Sequence, residues 1–108
     1  MPRFAKECAA ADPTGFALVD GDRELTWSQV DDALLRCANL LLAADRSGDL
    51  GPAHRIAVFA ENAAETALAH LGGLLAGASS VPVNFHLTAS ETAYILADSD
   101  SRVLFVGP

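Results

Sequence analysis

The stretch SVPVNFHLTASETAYILADSDSRVLFV, Ser80 to Val106, decides the fold. Its opening apolar run reads as a short strand. Pro82 has no N–H to give a ladder, which argues for a strand end or a sheet edge. TASE follows, with Thr88 as a helix N-cap and Glu91 three positions on. In such a capping box the hydroxyl and the carboxylate each take one of the backbone N–H groups that a helix start leaves unpaired. Ala93, Ile95 and Leu96 carry the helix on to ADSDS, and RVLFV is a second strand. Strand, capped helix, strand is the pattern of a parallel sheet, whose neighbours need a crossover connection rather than a tight turn.

The same pattern extends upstream. RIAVFA, Arg55–Ala60, is a buried-type strand, and in ENAAE the spacing predicts that Asn62 caps a helix with Glu65 returning the hydrogen bond. That helix, Ala63–Ala76, is apolar nearly all round, so it is expected to be buried on more than one side. Ala67, Gly73 and Gly77 permit close approach of a neighbouring backbone, and Gly77 also terminates the helix. Earlier still, TWSQ makes Thr26 and Gln29 a capping box, with Leu25 and Val30 placed as a hydrophobic staple. Val30, Leu34, Cys37, Leu41 and Ala44 repeat at helical spacing until the pattern fades near Arg46–Gly48. FALVD and ELT flank GDR as a small hairpin, Phe16–Asp20 with Glu24–Thr26, after a short helix over Pro2–Ala10. The order α, hairpin, α, β, α, β, α, β predicts a layered α/β fold with a largely parallel sheet, flanking helices and a small N-terminal β-hairpin.

The whole chain is 108 residues, at most one small domain, with 51% hydrophobic residues. That apolar excess fits either faces that meet further protein or a tight, alanine-rich core. The net charge is −7, with Lys6 and six scattered arginines. Nucleic-acid binding normally takes clustered positive charge, so that class is excluded. Cys8 and Cys37 lie far apart with no zinc spacing, and read as plain thiols of a reducing compartment. The N-terminus lacks a continuous apolar segment of the kind a secretory signal needs, and no run is long enough to span a bilayer. A cytoplasmic protein is expected.

Chemistry is harder to find. HLGGLLAG has glycines but lies within a helix and carries no lysine, so it is no phosphate loop. Neither a nucleophile elbow nor a zincin motif occurs. His54, His70 and His86 recur every sixteen residues, but fall on a loop, a helix and a loop with no carboxylate motif to complete a metal site. Glu91, Asp98 and Asp100 sit at the two ends of one helix, where such residues cap and turn the chain. No catalytic set is present.

Two segments nevertheless resemble one family. LTWSQVDDALLRCANLLLA is similar to the early Leu-Thr-aromatic helix of the adenylate-forming (AMP-binding) acyl-CoA synthetases. Arg55 to Gly107 is similar to their next segment, with Asn62, Gly77, Ala78, Pro82, Asn84, Leu87 and Glu91 in matching places. The likeness covers residues 14–107, and the wording PVNFHLT leans toward fatty or carboxylic acid–CoA ligases. The chain departs from the pattern at Ala53 and His54, where Gly-Asp is usual, at Ser79 and Ser80, often apolar, and at Thr92, commonly Leu.

The resemblance implies that residues 1–108 are the first piece of a larger N-terminal domain whose other partner is the rest of the parent chain. The parent would join a small-molecule carboxylic acid to CoA: the carboxylate attacks the α-phosphate of ATP with Mg²⁺, and the CoA thiol then attacks the acyl-adenylate. The family's lysine loop, adenine and ribose contacts and C-terminal lysine lie downstream of this region. The segment alone is therefore expected to be inactive and to bind no cofactor. One residue is implied in ligand contact: His86, at the place of a basic residue near the nucleotide phosphates of CoA. An amino-acid or aryl-acid adenylation fragment and a self-standing interaction module stay open as alternatives, as does homo-oligomerisation.

Overall fold

The computed structural model describes residues 4–107. Helix α1 (Phe4–Ala11) leads to strands β1 (Phe16–Asp20) and β2 (Arg23–Thr26), then α2 (Trp27–Arg46). The rest alternates: β3 (Arg55–Phe59), α3 (Ala64–Leu75), β4 (Ser79–Val83), α4 (Ala89–Ser99) and β5 (Ser101–Val106). β1 and β2 form an antiparallel pair, while β4, β3 and β5 form a parallel sheet in that order. The expected architecture is present throughout. Pro2 and Arg3, where the sequence places the start of the first helix, lie outside the described residues.

Two of the three expected capping boxes form. Thr26 accepts from the Gln29 N–H at 3.2 Å while Gln29 Oε1 accepts from the Thr26 N–H at 2.9 Å. Thr88 and Glu91 repeat the exchange at 3.2 and 3.0 Å. The third does not form. The cap of α3 is Ala63, in extended conformation and with no side chain to offer, so Asn62 stands one residue too early. Asp20, 44 residues upstream at the end of β1, supplies the acceptor instead, its Oδ2 3.0 Å from the Ala64 N–H. Glu65 turns to Arg23 of β2, 2.6 Å away. The hairpin thus caps the helix that the local sequence leaves uncapped.

Helix α3 is the centre of the packing. An added Cβ on Gly73 would lie 2.5 Å from Ile56 Cδ1 of the central strand, and one on Gly72 would lie 2.4 Å from Cys37 Sγ of α2. Gly73 is one of the residues expected to permit close approach; Gly77 instead sits past the helix end at φ +83°, with open space around it. One core joins Leu41, Leu50, Ile56 and Ala78 between α2, α3 and the sheet, and a second joins Ala5, Val30 and Leu34 beneath the hairpin. The central strand is buried on both faces at Ile56, Ala57 and Val58, and Pro82 lies on an edge strand as expected.

The opposite face of the sheet is thinly covered. No residue of α4 is buried, Tyr94 is 70% and Val106 66% exposed, and an apolar groove of about 450 Å³ runs between α4 and Phe59, Leu104 and Val106. Thr92 has its hydroxyl buried with no hydrogen-bond partner. The accessible surface, 6483 Å², exceeds the roughly 5,700 Å² usual for a folded monomer of this mass.

Replacing Asp20 by Ala should lower stability by about 1 kcal/mol, the usual cost of a lost helix cap, read as a lower midpoint of urea unfolding. Asn62→Ala should cost less than about 0.5 kcal/mol. The reverse ranking would return the cap to Asn62.

Candidate functional site

In open parallel sheets, ligands collect outside the carboxyl ends of the strands where the strand order reverses. Here the chain runs outward from β3 to β4 and then crosses back to β5, so the reversal lies between β3 and β5. At that point the crevice is pinched. The Gly107 N–H donates to the Phe59 carbonyl at 3.0 Å, and a Cβ on Gly107 would lie 2.5 Å from that of Ala60. Two cavities flank the pinch. The smaller, about 250 Å³, lies between the β3 and β5 ends and is lined chiefly by Ala60, Glu65, Thr66, Phe105 and Gly107. The larger, about 400 Å³, lies between the β3 and β4 ends, with Asn62, Thr66, His70, Asn84 and Phe85 around it.

Helix starts near a sheet end usually offer N–H groups to a phosphate. At α3 these are filled by the chain itself: the Asp20 carboxylate takes the Ala64 N–H, Glu65 accepts from its own N–H, and the Thr66 N–H goes to the Ala63 carbonyl. At α4 the Thr88–Glu91 box takes the Thr88 and Glu91 N–H groups. These bonds hold both glutamates below the ordinary carboxylate value, Glu65 through its own backbone and then Arg23, Glu91 through Thr88.

The structure puts the three histidines in three different settings. His54 lies in the loop before β3 at φ +53°, 3.6 Å from Asp45. His86 is exposed in the β4–α4 loop, its ring 4.1 Å from that of Phe85 and its N–H donating to Asn84 Oδ1 at 2.9 Å. That bond and the one from the Leu87 N–H to the Asn84 carbonyl fold residues 84–87 into a tight turn. His70 is half-buried on α3, hydrogen-bonded through Nδ1 to the Ser80 hydroxyl on β4. Among the described residues no group of three His, Cys, Asp or Glu side chains is placed to hold a metal. Glu91 and Asp100 cap the two ends of α4. Cys37 packs against the core, where burial pushes its thiol up.

The His70–Ser80 pair is the feature the sequence reading passes over. Its signal was present as two polar residues at otherwise apolar positions, a histidine in LAHLGG and a serine in SSVPV. Burial holds the His70 imidazole below its ordinary value of 6.5. The folded chain therefore takes up that proton at lower pH than the unfolded chain. The unfolded state binds more protons just below pH 6.5, so stability present above that pH is lost as pH falls through the interval. Glu65 and Glu91 release their contribution only below their ordinary 4.5. The urea midpoint should accordingly fall in two separate pH intervals, and His70→Gln should abolish the upper one; an unchanged upper step would assign it to another group.

Residues 5–108 match the model of the AMP-binding enzyme family. A peroxisomal acetate/butyrate–CoA ligase of Arabidopsis thaliana is 37% identical over 103 residues, which are 95% of this chain and 17% of the plant protein. Among solved structures, a Mycobacterium tuberculosis fatty acyl-CoA synthetase superposes with a TM-score of 0.80 at 30% identity, over 95% of this chain and 20% of that one. The O-succinylbenzoate–CoA synthetase of Bacillus subtilis, in complex with AMP, gives 0.78 at 27% identity, over 98% and 27%. The chain thus spans about a sixth of the plant relative's length. It belongs to the AMP-binding enzyme family.

Proposed function

We propose that these residues are the N-terminal scaffold of an ATP-dependent acyl-CoA synthetase, the parent converting a carboxylic acid, ATP and CoA into acyl-CoA, AMP and pyrophosphate by way of an acyl-adenylate. The observation that carries this reading is the family match over residues 5–108 together with relatives named as CoA ligases. The filled start of α3 supports it from the other side: its N–H groups are taken by the chain itself, and in this reading ATP and Mg²⁺ belong to the remainder of the parent. A cytoplasmic setting belongs to the same reading, supported by two free thiols.

His86 is the residue assigned to CoA. The turn over Asn84–Leu87 presents its imidazole to solvent beside Phe85, and an imidazole N–H donates well to a phosphate oxygen. The acid itself is a carboxylic or fatty acid in this reading. An aryl acid is the second reading, favoured by the likeness to the O-succinylbenzoate–CoA synthetase.

The test uses the polypeptide that the complete reading frame encodes. Exchange of labelled pyrophosphate into ATP should depend on added carboxylate, with aliphatic and aryl acids compared side by side; exchange with neither would remove the ligase reading. His86→Ala should leave that exchange unchanged and raise KM for CoA roughly fivefold, the equivalent of about 1 kcal/mol. An unchanged KM would end the assignment of His86.

A further inference from the structure

We propose that the His70–Ser80 couple is a proton-sensitive fastener, holding the edge strand β4 and the Asn84–Leu87 turn against α3 at neutral pH and releasing them on acidification. The consequence for CoA rests on the reading of His86 given above, whereas the fastener itself does not.

β4 is held by a five-pair ladder to β3 and by the buried Val83 at its end. It has one hydrogen-bonded neighbour, β3, and Pro82 removes one of its own donors. Among the described residues, the bond between Ser80 and His70 is the one side-chain hydrogen bond that β4 makes. The strand then runs straight into the turn that carries His86. Whatever fixes β4 on α3 therefore fixes where that turn is presented.

The setting of His70 makes the bond conditional. Around its cavity stand Val58 of β3, Pro82 and Val83 of β4, Phe85, and the uncharged amides of Asn62 and Asn84. No carboxylate lines it. The charged and titratable groups that reach α3 from other elements do so elsewhere. Asp20 and Arg23 of the hairpin lie at its N-terminus with Glu65, and Cys37 of α2 lies over Gly72. His86 is exposed on the turn beyond. An imidazolium formed at His70 would find no counter-charge in this wall. A half-buried charge without a partner is relieved by moving to water, which carries the ring away from Ser80 and costs β4 its tie. Burial already biases His70 toward the neutral form, so neutral pH keeps the fastener closed.

Hydrogen exchange on the 108-residue chain, followed amide by amide at pH 7.5 and pH 5.0 and expressed as protection factors, reads this directly. Local opening is the event it detects. Acidification should lower the protection of the slowest β4 amides at least tenfold more than that of the slowest β5 amides. Ser80→Ala should show the low β4 protection already at pH 7.5, with no further selective loss. His70→Gln, which keeps a hydrogen-bonding group for Ser80 and cannot charge, should hold β4 at its neutral-pH value throughout. Equal losses in β4 and β5, or a selective loss that persists in His70→Gln, would overturn the proposal. The readout needs no CoA, so its failure removes the fastener and leaves the ligase reading standing. Absent carboxylate-dependent exchange would do the opposite.

Discussion

The structure depends on how closely helix α3 can approach two partners at once. On one side it meets the central strand at Ile56, and on the other it meets α2 at Cys37; at both contacts it presents only a glycine hydrogen. A methyl group at either place would sit about an ångström inside normal contact distance, and packed interiors absorb such intrusions poorly. Two consecutive glycines in a helix cost conformational entropy, roughly 1 kcal/mol each relative to alanine. That cost is offset by the burial they allow, since Leu41 and Ile56 become fully enclosed on either side.

What could be read from the sequence was what is local. The boxes at Thr26 and Thr88 are complete within four residues and formed as expected. The apolar stripe of α2 and the edge position of Pro82 follow from spacing and from one missing N–H. The box at Asn62 failed because its competitor was not local: Asp20 arrives from the hairpin, and no window around residue 62 contains it. Gly73 was recognised as a packing residue but Gly72 was not, because the two differ only in which neighbour they face. His70 and Ser80 lie ten residues apart on different elements, and their pairing becomes visible only once α3 lies over β4.

The departures from the family pattern have consequences of their own. Thr92, in place of a common leucine, buries a hydroxyl without a partner. Ser80 becomes the partner of His70, and His54 occupies a left-handed conformation that histidine tolerates better than most residues. In the proposed reading the labour is divided: the scaffold places strand ends and one turn and satisfies the start of α3 internally, and the chemistry of phosphate falls to the remainder of the longer parent.

The most direct measurement of that division is a calorimetric titration of the 108-residue chain with ATP in the presence of Mg²⁺. With the start of α3 occupied by the chain's own groups and no lysine loop in the sequence, no saturable heat is expected up to millimolar nucleotide. Stoichiometric binding at micromolar ATP would contradict the account, because it would place the nucleotide site within the scaffold itself.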